Sequence, residues 1–322
     1  MSEKIQLEAV VPGELFGKRL DQAVAELFPD YSRSRIQNWI KEGELTVDGK
    51  VLRPREKLLG GEKIVVDAKV ALIEEHVGEE IPLDIIYEDE HILVLNKPAG
   101  LVVHPAAGHA DGTLLNALLH HAPEVAQVPR AGIVHRLDRD TTGLMVVAKT
   151  IQAQTDLVAQ LQDRSMGREY EAVVQGVMIG GGTVDEPMAR HSKHRQKMAV
   201  VGLGKEAITH YRVLKKFRNH THIRLKLETG RTHQIRVHMS HINYPLVGDQ
   251  LYGGRFRLPK NCSERMQETL KHFRRQALHA KKLELWHPFT GEHCSWEIDL
   301  PDDFQRLLSV LDRDATKFDY EL

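Results

Sequence analysis

The densest gathering of reactive side chains in this 322-residue chain is GIVHRLDRDTTGLMVVAK, residues 132–149. His135, Arg136, Asp138, Arg139, Asp140 and two threonines crowd a turn between two apolar segments. A carboxylate flanked by guanidinium groups stays ionised, so Asp138 has the makings of a nucleophile or a base. On residue types alone the alternative stays open that Asp138 or Asp140 only caps the turn through an Asx hydrogen bond. A second cluster, LETGRTHQIRVHMSH at 227–241, sets Arg231, His233 and Arg236 behind a glycine turn at the head of an apolar segment, a corner suited to an anion.

These clusters need elements to hold them. In 19–28, Leu20, Ala23, Val24 and Leu27 recur at helical spacing, over a stretch too short to be stable alone. SRSRIQNWIKEG at 32–43 predicts a second helix, with Ser32 or Ser34 as cap, Ile36, Trp39 and Ile40 as apolar stripe and Gly43 as stop. The two should pack as a hairpin. LTVDGKVL at 45–52 then reads as two short strands around an Asp-Gly turn. Arg33 and Arg35 lie in the first turn of the second helix, where free amides also favour phosphate, and Lys50 follows the Asp-Gly turn.

An acidic stretch, IEEHVGEEIP at 73–82, reads as a linker. Beyond it IIYEDEHILVLNKP predicts a hairpin with an acidic turn, TGLMVVAK and YEAVVQG are apolar strand-like runs, and THIRLKLETGRTHQIRVHM alternates over much of its length. Helical patterns intervene at GTLLNALLHH and IQAQTDLVAQLQD, and the C-terminal PDDFQRLLSVLDRDATKFDYEL predicts an amphipathic helix. Strands broken by scattered helices, without regular βαβ alternation, point to an α+β fold around a largely antiparallel sheet.

Composition narrows the class. With 41% hydrophobic and 28% charged residues the chain is globular. No apolar run approaches the roughly 18 residues that span a bilayer and the N-terminus has no signal-like core, so a cytoplasmic protein without membrane association is expected. Cys262 and Cys294 sit in no ligand spacing. His233, His238 and His241 are close in sequence, but on a strand His233 and His238 face opposite sides, so no metal site is expected. The net charge of −1 conceals segment 187–240, with 13 Lys and Arg against Glu206 and Glu228, a plausible phosphate-facing surface.

Two resemblances sharpen this reading. RLDQAVAELFPDYSRSRIQNWIKEGELTVDGK at 19–50 resembles an S4 domain, a small RNA-binding module, which implies a domain at 14–75, a linker at 76–81 and a larger domain at 82–322. The RLD carboxylate with its Thr-rich turn, the later GRTHQIR, and NKPAGLVVHP (96–105), REYEAVVQG (168–176) and RQALHA (275–280) together resemble the RluA-type pseudouridine synthase family. Where that family has Lys-x-Tyr, this chain has Arg168, Glu169 and Tyr170.

The resemblance implies a fold with a mixed, largely antiparallel central sheet flanked by helices, and the isomerisation of uridine to pseudouridine without a cofactor. It implies Asp138 as the catalytic carboxylate, Arg231 as its guanidinium partner and Tyr170 as the ring on the everted base. Arg136, with its neighbour His135, would fill the vacated stack, and Arg33, Arg35 and Lys50 would grip RNA. The S4-bearing members it resembles most imply 23S ribosomal RNA or a large-subunit precursor as partner, in the loop of helix 69, acting as a monomer. The alternatives are the same chemistry at another ribosomal or transfer RNA site, or a non-catalytic RNA-binding assembly factor.

Overall fold

The two short N-terminal helices, α1 (Leu20–Leu27) and α2 (Arg33–Glu42), exist because each covers the other. Leu20, Ala23 and Val24 of α1 and Ile36, Trp39 and Ile40 of α2 close one apolar core over a three-stranded sheet. That sheet has the order β1-β3-β2, from β1 (Lys4–Val10), β2 (Leu45–Val47) and β3 (Lys63–Lys69). Gly43 stops α2 at φ 77°, as its spacing predicts. The strand expected after the Asp-Gly turn does not form: past the single bridge Val47↔Lys50, the charged, proline-bearing stretch VLRPREK leaves β3 to pair with β2.

The computed structural model describes residues 4–29, 31, 33–69, 76–105, 109–256 and 258–319, so the candidate cap Ser32 lies outside the described residues. The chain forms two compact units, Met1–Glu75 and His76–Leu322. In the second unit the stretch expected as linker is stitched to α3 (Leu114–His121). Glu79 N–H donates to the Asn116 carbonyl, the Asn116 amide to the Val77 carbonyl, and Gly112 N–H to the Glu79 carboxylate.

The second unit is α+β, built on a sheet whose strand order is β4-β5-β6-β13-β7-β12-β11-β8, with β14 on β13. Its strands are β4 (Asp84–Glu88), β5 (Ile92–Lys97), β6 (Thr142–Ala148), β7 (Gly167–Gln175), β8 (Gly182–Asp185), β11 (Ile208–Lys216), β12 (His220–Leu227), β13 (Leu278–Trp286) and β14 (His293–Glu297). A separate hairpin, β9 (Met188–Arg190) with β10 (Met198–Val200), carries exposed Arg190, Lys193 and Arg195 from the basic segment. Among the described strands only β6 and β13 pair in parallel.

The unbroken apolar runs in β5 and β6 arise because both faces of the sheet are covered there. Leu93, Leu95, Met145 and Val147 pack towards α3, while Ile92, Val94, Leu144 and Val146 pack towards α4 (Ile151–Gln162). Phe304, Leu307, Val310 and Leu311 of α7 (Asp302–Asp319) pack on α6 (Glu264–His272), so the C-terminal helix is part of the core. No helix among the described residues is long and apolar enough to cross a membrane.

One expectation is overturned. The alternation from Thr221 does not run through Met239: β12 ends at Leu227, and Gln234–His241 is a helix, α5. The cause is the turn between them, where Gln234 accepts from Arg231 N–H (2.9 Å) and the Thr229 hydroxyl (2.8 Å) and donates to the Ile208 carbonyl (3.0 Å). His233 at φ 57° then opens the helix. As a helix the segment turns different side chains inward than a strand would, but no His, Cys, Asp or Glu cluster able to hold a metal occurs among the described residues.

The acidic turn of the β4–β5 hairpin has its own structural basis. Asp89 accepts from His91 and Ile92 N–H through one carboxylate oxygen (2.7 and 2.8 Å) and from the Tyr87 hydroxyl and His287 Nε2 through the other (2.8 and 2.7 Å). Burial opposes the charge, but the backbone and side-chain hydrogen bonds outweigh it and hold the pKa down to about 2. A depressed carboxylate pKa contributes stability above the unfolded value near 4 and loses it as pH falls towards 2, here about 2 kcal/mol. Asp89→Ala is therefore expected to melt lower at pH 7 and to flatten the acid limb of the stability curve. Identical pH dependence in the variant and the wild type would contradict this.

Candidate active site

Asp138 sits in the loop that enters β6, and that loop is built from beneath. Lys97, fully buried, donates to the carbonyls of Pro98 (2.7 Å), Leu101 (2.9 Å) and Arg139 (2.8 Å), tying the NKPAGL turn to the RLDRD turn. Its burial pushes the amine pKa down to about 8. Gln276 donates to the Thr141 hydroxyl (2.9 Å), and Thr142 pairs with His279 Nδ1 (2.8 Å). Gly143, at φ 117°, lets β6 meet β13: a Cβ there would lie 2.3 Å from the Ala280 carbonyl oxygen.

The Asx-turn alternative for Asp138 fails on geometry. Its backbone carbonyl closes the turn by accepting Thr141 N–H, while its carboxylate faces Arg236, whose Nη1 donates to Oδ2 at 2.8 Å. Arg236 reaches on to Asp249 with Nε (2.7 Å) and Nη2 (2.9 Å), and Asp249 also accepts Leu251 and Tyr252 N–H. Burial works against the charge of Arg236, but Asp249 and then Asp138 outweigh it and raise its pKa. Asp249, its side chain fully buried, is shifted down despite burial, chiefly by Arg236.

The expected partner, Arg231, is therefore not the one that pairs. Arg231 lies in the turn before α5, exposed, and its Nε donates to the Glu206 carbonyl (2.9 Å). Arg236 is on the inward face of α5, and that inward face exists only because the segment is helical. One signal for this was present in the sequence: Arg236 stands between Ile235 and Val237, and a charge inside an apolar run must find a partner.

His233 approaches the other carboxylate oxygen of Asp138, with Nε2 at 3.7 Å. The Tyr252 hydroxyl accepts Met198 N–H (2.8 Å), so its own hydrogen is free for His233 Nδ1 (2.8 Å). That assigns the His233 proton to Nε2, on the side of Asp138. Burial lowers the His233 pKa, with Asp138 opposing, and keeps the ring neutral.

Asp138, Tyr170, Arg231, Arg136 and His135 all line one cavity of about 910 Å³. Tyr170, on β7, is buried, and burial followed by the Asp138 charge raises its pKa against the pull of Arg168. His135 spends Nε2 accepting Val146 N–H (3.2 Å), and burial pushes its pKa down to about 3, so it is neutral. Arg136 is exposed and makes no hydrogen bond or ion pair with the described residues. At the rim, Arg164 pairs with Glu206 (2.5 Å) and Glu228 (2.7 Å), the two acids of the basic segment.

The other three expected residues belong to the first unit. Arg33 donates through Nε and Nη2 to Asp21 (3.2 and 2.9 Å), whose carboxylate is fully buried and also takes Arg19 and Gln37. Arg35 lies over the rings of Tyr31 (5.7 Å) and Trp39 (5.5 Å). Lys50 is exposed at the Asp-Gly turn.

Comparison with known proteins accords with this geometry. A family model described as RNA pseudouridylate synthase matches residues 91–241, which include Asp138, Tyr170 and Arg236, and an S4 domain model matches residues 18–64. The chain is 64% identical over 318 residues to the ribosomal large subunit pseudouridine synthase D of Pseudomonas aeruginosa, with 99% of each chain covered. It belongs to the pseudouridine synthase family.

Within the pseudouridine synthases it is similar as well to the ribosomal large subunit pseudouridine synthase D of Escherichia coli K12, at 57% identity over 315 residues, covering 98% of this chain and 97% of that one. The solved structure of human RNA Pseudouridylate Synthase Domain Containing 4 matches with TM-score 0.56 and 27% identity over 71% of this chain and 93% of its own. The protein is thus an RNA pseudouridine synthase of the RluA type, an isomerase with an N-terminal S4 domain.

Proposed function

We propose that this enzyme isomerises uridine to pseudouridine in 23S ribosomal RNA, in the loop of helix 69, with Asp138 as the group that acts on the ribose. The observation that carries the reading is the carboxylate of Asp138 in the cavity, aimed by Arg236 at 2.8 Å beside the buried ring of Tyr170. The relatives aligned over nearly the whole chain are ribosomal large subunit pseudouridine synthases, which supports large-subunit RNA as substrate. The helix 69 assignment rests on the family resemblance of the sequence.

The chemistry balances within the substrate. The bond from N1 to C1′ breaks with its electron pair leaving on uracil, while Asp138 either bonds to C1′ or takes the C2′ proton. The base turns, and C5 bonds to C1′ as the Asp138 ester bond breaks or C2′ takes its proton back; C5 then loses its proton and N1 gains one. Nothing is oxidised, so no redox cofactor is called for.

A stacked uridine must first be everted, at a cost of a few kcal/mol. Arg136, exposed at the cavity, suits the vacated space, where its plane can stack and donate at once. Arg231 fits a phosphate at the rim, and Arg33, Arg35 and Lys50 of the S4 domain fit RNA as well. We assign 14–75 to RNA binding, 76–81 to the connection and 82–322 to catalysis. Mapping pseudouridines in 23S RNA from cells with and without the protein tests the target. Loss confined to the helix 69 loop is expected, and an unchanged map rejects it.

Tyr170 offers a further test. Its raised pKa keeps the phenol protonated, so it serves best as a relay, passing its own proton to the freed Asp138 while taking the one from C5. Tyr170→Phe keeps the ring and is expected to slow tritium release from C5-labelled uridine by about 100-fold with RNA affinity unaltered. Undiminished release would remove the hydroxyl from the proton transfer.

A further inference from the structure

Arg168 is a buried cation with no acidic partner among the described residues. It stands two residues before Tyr170 on β7, hence on the same face of the strand, and lines the same cavity while only 6% exposed. No described carboxylate pairs with it. Its Nε is buried without a hydrogen bond, and its one acceptor among the described residues is the Glu228 carbonyl, at 3.5 Å from Nη2. The Gly230 turn abuts it: a Cβ at Gly230 would lie 2.6 Å from Nη1, so a larger residue there would push the guanidinium aside.

Such an arrangement is a liability for folding alone, because a charge taken out of water with few bonds costs more than an apolar side chain of equal size. It becomes useful if something negative arrives. The phosphodiester backbone remains on the RNA and is limited to the rim, where Arg136, Arg164 and Arg231 are accessible. Only an everted base reaches the inner wall formed by Arg168, Tyr170, Leu227 and Leu278, each less than a tenth exposed. Uracil arrives neutral and becomes negative when N1 leaves C1′, its charge spreading onto O2 and O4.

We propose that Arg168 is a catalytic residue that holds the detached uracil as its anion, donating to a carbonyl oxygen through the guanidinium N–H groups left unsatisfied. The proposal rests on the function proposed above. No proton leaves Arg168: the electron pair of the N1–C1′ bond goes to uracil, Asp138 takes the ribosyl carbon or its C2′ proton, and the guanidinium offsets the uracil charge until C5 rebonds. It acts on charge that appears only as the bond breaks, so it should lower the barrier without tightening binding.

The full-length protein is tested with transcribed 23S ribosomal RNA under single-turnover conditions. Arg168→Met is expected to slow pseudouridine formation by about 100-fold or more at saturating enzyme, with the RNA Kd within about threefold of wild type and Tm unchanged or higher. Arg168→Lys, which keeps the charge, should retain the rate to within about tenfold. RNA carrying 5-fluorouridine, whose departing base is a more stable anion, should shrink the Met variant's deficit in base detachment.

A rate within about threefold of wild type, or a deficit that vanishes at saturation because only Kd rose, would overturn the proposal, the latter marking a phosphate contact. An equal deficit on 5-fluorouridine RNA would also overturn it. A marked fall in Tm would make Arg168 structural, and Arg168→Gln, with donors but no charge, then repeats the rate comparison. If wild-type protein forms no pseudouridine on this RNA, the proposed target fails and Arg168 is tested on an RNA that the protein does modify.

Discussion

Asp138→Asn is expected to slow pseudouridine formation by about 1000-fold or more, some 4 kcal/mol of barrier, while the protein still folds and binds RNA. Asn has the same shape but neither the charge nor the oxygen nucleophile. The fold survives because Arg236 keeps both bonds to Asp249, and an amide oxygen at position 138 can still accept from Nη1. Removing a negative charge from a cavity rimmed by arginines should leave affinity equal or slightly improved. Single-turnover rates and filter binding on the same RNA check both halves, and near-normal turnover would remove Asp138 from the chemistry.

Breaking the network from its middle should do two separable kinds of damage. Arg236→Met leaves the carboxylate of Asp249 fully buried with only the Leu251 and Tyr252 amides, which should cost about 3 to 5 kcal/mol of stability. It also frees Asp138 from its one close guanidinium, so the rate should fall by about 100-fold or more even where the protein is folded. Adding Asp249→Asn removes the orphaned charge, so the double variant should regain most of the lost stability and none of the lost rate. Denaturant melts and single-turnover rates of both variants decide this. Recovery of the rate in the double variant would mean that Arg236 serves only the fold, and a single variant as stable as wild type would mean that Asp249 needs no partner.

The contrast between Arg231 and Arg236 shows where reading a sequence stops. Both arginines were visible in one short segment, and resemblance placed one of them on Asp138. The assignment turned on whether QIRVHMSH is strand or helix, which its alternating pattern misjudged. Gln234 resolves it by bonding across to Ile208 and Thr209 on β11, residues that local periodicity cannot bring into view. The strand expected after the Asp-Gly turn failed for the same reason: β3 took the pairing that the following residues could not.

Elsewhere local chemistry was legible. The Gly43 stop, the β4–β5 hairpin, the helices at 114–121 and 151–162 and the apolar runs of β5 and β6 follow from spacing and turn residues that act within a few positions. The charged loop around Asp138 announced itself as well, because so many ionisable groups between apolar segments have few other uses. The partners of those groups were not legible. Arg236 is 98 residues from Asp138, Lys97 is 42 from the Arg139 carbonyl it holds, and the missing partner of Arg168 appears only once its surroundings are assembled. Periodicity and turn chemistry are encoded by neighbours in the chain, so the sequence alone determined the reactive loop and the elements other than α5 and the strand expected after the Asp-Gly turn. Ion pairs, burial and unsatisfied donors depend on which distant surfaces meet, and only the tertiary structure decided those.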